Sequence, residues 1–196
     1  MSKIKIRKSR LMLITLAVVA ITTLVSLPMI ASHVLPGGMW AETFESYTCS
    51  AFPSPTWTLR YNGAGNAFQY VDCTNAKYGS KSLHLKGQMS WSAQANRDIP
   101  DFSSPVIGLS AWVKTGTLTS DTNTAAHVSF YWKPTSSYAW GVHMGVSFNG
   151  DGKIVWDGTG TLLGTYTGNT WHQVQIIINK LSNNYAGKAA VFLDGE

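Results

Sequence analysis

Acidic side chains are scarce in this sequence, with ten Asp and Glu among 196 residues. Five of its fifteen Lys and Arg (Lys3, Lys5, Arg7, Lys8 and Arg10) fall in the first ten positions, which leaves the rest of the chain formally neutral. A neutral body offers no electrostatic footprint to a polyanion, so nucleic acid is excluded as a partner. Glutamate occurs only at Glu42, Glu45 and Glu196. Glycoside hydrolysis normally needs two carboxylates about 5–9 Å apart across the scissile bond. Asp151 and Asp157 are near in sequence, but Asp151 sits in the run Asn149-Gly150-Asp151-Gly152, where aspartate serves turn geometry. A G-x-S-x-G elbow is missing, no C-x-x-C occurs, and His127, His143 and His172 lack the spacing of metal ligands on a helix. No catalytic residue is therefore assigned. A polysaccharide lyase acting through Tyr131 and His143 is the enzyme reading that the composition least opposes.

Long apolar runs are also absent, with one exception. Leu11–Leu27 carries no charge and no proline, and it follows directly on the basic cluster. A positive end followed by an apolar segment reads as an export signal. Ile30-Ala31-Ser32 is a tolerable cleavage site. Without cleavage the segment would serve as an anchor, although its helix would span only about 25 Å of a hydrocarbon core about 30 Å thick. In both cases the basic end stays in the cytoplasm and the remainder faces outward, secreted or at the cell surface. Residues 1–32 are thus expected to form a hydrophobic targeting helix, a signal peptide or signal anchor, and residues 33–42 a linker. The membrane is a partner only through that segment, if it stays uncleaved.

Cysteine is limited to Cys49 and Cys73. Export permits a disulfide between them, which would stabilise the fold by about 3.5 kcal/mol through the loop it closes. Two free thiols are the alternative.

What the chain does have is 18 Gly, eight Trp, eight Tyr and seven Phe. Beyond the linker, short segments of period two alternate with turns rich in Gly, Asn, Asp and Ser. Leu109, Ala111 and Val113 alternate with Ser110, Trp112 and Lys114; Val128, Phe130 and Trp132 alternate with His127, Ser129, Tyr131 and Lys133. Val142, Met144, Val146 and Phe148 alternate with Gly141, His143, Gly145 and Ser147, and Val174, Ile176 and Ile178 share one face of a late strand. Such a pattern predicts an all-β sandwich or barrel. No repeat of fixed period appears, which argues against a propeller or solenoid. The last residues read as a strand running into a turn at Asp194-Gly195-Glu196, so at least one closing strand is expected beyond it.

Six stretches together resemble the concanavalin-A-like lectin and glucanase superfamily, particularly its laminin-G-like and jelly-roll carbohydrate-binding modules. They are TFES (Thr43–Ser46) with GSKSLHLKG (Gly79–Gly87), LSAWVKTG (Leu109–Gly116), FNGDGKIVW (Phe148–Trp156), NTWHQVQIIIN (Asn169–Asn179) and KAAVFLDGE (Lys188–Glu196). The resemblance implies a two-sheet antiparallel jelly-roll sandwich over residues 43–196. The E-x-D-x-x-E run of the family's retaining glucanases is absent. The resemblance also suggests a structural calcium ion on Glu45 and Asp194, with carbonyl oxygens near Lys81.

Saccharides are held by aromatic faces against their C–H surfaces and by planar polar groups on their hydroxyls. Trp112, Tyr131, His143 and Gln173 combine these types on the polar side of their strands. Tyr138 and Trp140 are placed to form a rim. The expected function is a non-catalytic extracellular domain that binds a polysaccharide or glycan, or mediates adhesion, with Tyr131, His143 and Trp112 lining one groove. A structural or protein-interaction module of a cell-surface protein is the alternative.

Overall fold

In a computed structural model the chain is all-β, and every strand pairing is antiparallel. The structure describes residues 40–99, 106–132, 142–157, 159–179 and 189–195. The expected targeting segment, most of the linker, Tyr138 and Trp140 lie outside the described residues. The chain divides into two compact units, residues 1–100 and residues 101–196.

The second unit carries β5 (Val106–Lys114), β6 (Thr124–Trp132), β7 (Val142–Asn149), β8 (Lys153–Trp156), β9 (Thr161–Thr165), β10 (Trp171–Asn179) and β11 (Ala189–Leu193). One sheet runs β11-β10-β5 and the other β6-β7-β8-β9. Their apolar faces meet in a single core. Val146 and Phe148 from β7, Ile154 from β8 and Val174, Ile176 and Ile178 from β10 are all 0 or 1% exposed, and Tyr166 and Met144 join them. Ile107, Leu109, Ala111 and Val113 of β5 and Val128 and Phe130 of β6 pack against that cluster. These are the residues that period-two alternation puts on one side of each strand.

Two glycines shape the second sheet. Gly152, at φ +82°, closes the β7–β8 turn, where its N–H donates to the Asn149 carbonyl at 3.0 Å. Gly145 faces Ser129 across the β6–β7 ladder, and a Cβ there would run into the Ser129 side chain and the Val128 carbonyl.

The first unit is built from shorter pieces: β1 (Thr58–Asn62), β2 (Tyr70–Asp72), β3 (Ser82–His84) and β4 (Ala93–Asn96), with a 3₁₀ turn at Asn66–Phe68. β1 pairs with β4, and β2 pairs with β3. Its apolar interior is small, with Val71 and Pro53 fully buried, and polar braces do much of the holding. The Cys49–Cys73 disulfide forms, as expected from export and the isolated pair. Gln69, 1% exposed, donates from Nε2 to the carbonyls of Asn62, Gly65 and Lys86 at 2.8, 3.2 and 2.9 Å, and its Oε1 accepts from the Lys86 N–H at 2.8 Å. Glu42 accepts from the Phe44 N–H at 2.8 Å, the Tyr47 hydroxyl at 3.0 Å, the Trp57 indole at 3.2 Å and the Arg97 guanidinium. Arg97 in turn lies 4.6 Å from the centre of the Trp40 ring.

Truncating Phe148 to alanine should cost about 3–5 kcal/mol of stability, because it empties the middle of the shared core. Gly145→Ala should cost about 1–3 kcal/mol by forcing β6 and β7 apart. Denaturant midpoints of the two variants against the parent check both figures, and a loss below about 0.5 kcal/mol at either position contradicts the packing described.

Candidate functional site

With Val128 and Phe130 turned to the core, the other parity of β6 faces away from it, and the same holds for β7. The ladder pairs His127 with Ser147, Ser129 with Gly145 and Tyr131 with His143. Tyr131 and His143 therefore occupy opposed register positions on the outward parity. Between them and the His127–Ser147 pair lies the side-chain-free backbone of Gly145.

At the other end of this row the polar groups are fixed by Asp157, just past the end of β8. Its N–H donates to the Gly145 carbonyl at 3.0 Å. Its carboxylate accepts from the Ser147 hydroxyl at 2.7 Å and from His127 Nε2. The His127 side chain is 35% exposed and that of Asp157 19%, so the pair is open to a ligand although Ser147 beneath it is buried. The arrangement is not a nucleophilic triad. The carboxylate sits between serine and histidine, so the Ser147 hydroxyl donates to Asp157 and not to His127. What it offers is oriented hydrogen-bonding capacity. Asp151, by contrast, stays in its turn, where the Lys153 ammonium bonds it at 2.6 Å and holds its carboxyl below the usual range.

The remaining expected site residues are dispersed. Trp112 and Gln173 are ladder partners on β5 and β10, on the parity opposite Ala111, Val113 and Val174. The Gln173 amide donates to the Ser110 hydroxyl at 3.0 Å. This row lies on the outward parity of the β11-β10-β5 sheet. Trp112 and Tyr131 are therefore not neighbours in one sheet, because β5 and β6 belong to different sheets. Sequence alternation gives the side of a strand but not the sheet that the strand joins.

Glu45 and Asp194, the carboxylates expected for calcium, fall in different units. Glu45 lies in the first unit, where the turn Gly79-Ser80-Lys81 cradles its carboxylate. Its Oε1 accepts from the N–H groups of Ser80 and Lys81 at 2.7 and 3.0 Å, and its Oε2 accepts from the Ser80 hydroxyl at 2.6 Å. Gly79, at φ +68°, leaves the space that Oε1 fills. The Lys81 ammonium donates to the backbone carbonyls of Glu45 and Tyr47 at 2.9 and 2.8 Å. The Glu45 carboxylate is thus engaged by N–H and O–H donors of this turn. Asp194, in the second unit, accepts from the Gln173 N–H and from His172 Nδ1, each at 2.7 Å, and so ties the end of β11 to β10. Among the described residues no cluster of three or more His, Cys, Asp or Glu forms a metal site.

Two concave features among the described residues of the second unit lie along β9 and β11. One, of about 260 Å³, is lined by Trp156, Thr161, Leu163, Ala189 and Val191. Another, of about 600 Å³, is lined by Leu163, Gly164, Thr165, Val191, Leu193 and Asp194. Neither includes His127, Asp157 or the Tyr131–His143 pair. No protein-family model and no curated protein matches the chain.

Hydrogen bonds from Ser80, and then from the Lys81 N–H, hold the Glu45 carboxyl below its ordinary value of 4.5. A carboxylate whose folded pKa is depressed contributes stability above its unfolded pKa and loses that contribution as pH falls through the folded value. The melting temperature should therefore drop on acidification below about pH 4. Glu45→Gln should flatten that limb while melting lower than the parent at pH 7, since its amide nitrogen cannot accept from Ser80. An unchanged acid limb in that variant contradicts the cradle.

Proposed function

We propose that this chain is an extracytoplasmic, non-catalytic carbohydrate-binding domain, exported by its N-terminal apolar segment and built as a jelly-roll sandwich of the concanavalin-A-like kind. The observation that carries the reading is the outward row of β6 and β7: Tyr131 opposite His143 in register, Gly145 beside them, and the His127–Asp157–Ser147 network adjoining. A phenol ring suits the C–H face of a sugar, and an imidazole and a carboxylate already fixed by one another suit its hydroxyls. Fixing His127 and Asp157 beforehand lowers the entropy lost on binding. The neutral body favours an uncharged glycan over a polyanion. The alternation and turn chemistry that support the all-β fold are also those on which the family resemblance rests.

A glycan array probed with the chain should identify a polysaccharide ligand. Tyr131→Ala should then weaken that binding by about 1–3 kcal/mol while leaving thermal stability nearly unchanged. Trp112→Ala, on the other sheet, serves as the control and should leave affinity alone. An array without signal, or equal affinity for parent and Tyr131→Ala, overturns the reading.

A further inference from the structure

The first unit presents an exposed aromatic group that no sequence pattern singled out. Gln88 and Trp91 close a tight hairpin, each N–H donating to the other's carbonyl, Gln88 at 2.9 Å and Trp91 at 3.0 Å. At its tip Met89 is 95% exposed, and Trp91 is 50% exposed. Burying half of a tryptophan while leaving half in water is what one open ring face requires.

The hairpin is held firmly against the end of β1. The Gly63 N–H donates to the Ser92 carbonyl at 2.9 Å and the Ala64 N–H to the Lys86 carbonyl at 3.0 Å. Gly63, at φ +49°, has no Cβ, and one would strike that same Lys86 carbonyl. Gln69 bonds the carbonyls of both Asn62 and Lys86 from beneath. The ring itself is oriented at two points. Its indole N–H donates to Asn62 Oδ1 at 3.2 Å, and Tyr61 meets it edge to face with the centroids 5.8 Å apart. Asn62 Nδ2 donates to Asn66 Oδ1 at 3.2 Å, which aligns a second exposed amide.

An exposed indole, rigidly mounted and flanked by planar amides with no carboxylate in the set, is the chemistry that recognises a neutral saccharide. Stacking covers the C–H face of a sugar ring, and the uncommitted donors and acceptors of Asn62 and Asn66 reach its hydroxyls. Because hairpin and ring are already fixed, little conformational freedom is lost when a ligand arrives. We infer that Trp91, Tyr61, Asn62 and Asn66 form a second saccharide-binding site, located in the first unit and separate from the β6–β7 row. The inference borrows from the proposed function only the class of ligand.

The test uses the full chain in a non-glycosidic detergent, with soluble uncharged glucan, mannan, xylan and galactan as probes in affinity electrophoresis. Trp91→Ala should weaken retention by at least one of these polymers about tenfold, as loss of an aromatic anchor does. Trp91→Phe, which keeps a ring but loses the bond to Asn62, should weaken it less. Melting curves guard against misfolding, and Asn62→Ala, which leaves the ring in place, should reproduce part of the loss. If Trp91→Ala and Asn62→Ala are both retained like the parent while Tyr131→Ala is not, this inference falls and the β6–β7 site stands. If only the Trp91 and Asn62 variants lose retention, this site stands and the β6–β7 site falls. Retention of the parent by none of the four polymers overturns the inference.

Discussion

The second unit depends on the burial of one apolar face from each of two sheets in a common core. Val146, Phe148, Ile154, Val174, Ile176 and Ile178 are excluded from water together, and a slip of one residue in any ladder would turn an entire strand's apolar set outward. That penalty fixes the register of β6 against β7, and the register in turn sets which side chains line the outer surface. His127, Ser147 and the Tyr131–His143 positions are outward because their neighbours in sequence cannot be. The arrangement of this row is thus a by-product of core packing, refined by Asp157, whose backbone and carboxylate tie β8 to it.

The first unit solves a different problem. Among the described residues it has four strands of three to five residues and a small apolar interior. A disulfide and polar groups that each make several hydrogen bonds brace it. Gln69 satisfies four backbone groups, Glu42 gathers four donors, and Glu45 is enclosed by the Gly79–Lys81 turn. Polar braces of this kind are rigid because any displacement leaves a buried group unpaired, at about 1–3 kcal/mol each. The same rigidity holds the Trp91 hairpin against the end of β1.

Alternation alone was enough to give the all-β class, the long strands β5, β6, β7 and β10 and the inward side of each, because a two-residue period is a local property of the backbone. The β7–β8 hairpin was equally legible from Asn149-Gly150-Asp151-Gly152, and the disulfide from an isolated pair of cysteines. The strands β1, β2, β4 and β9 were not legible. Ala93-Gln94-Ala95-Asn96 has little intrinsic strand preference and pairs with β1 only because the Gly63–Ser92 and Ala64–Lys86 contacts bring it there. Nor did the sequence reveal that Trp112 and Tyr131 belong to different sheets, that Asp157 reaches back to His127 and Ser147, or that Gln69 is buried. Each of these depends on which distant segments become neighbours. A side chain's direction along a strand is set by its own backbone, whereas its partners are set by the closure of the whole chain around the core.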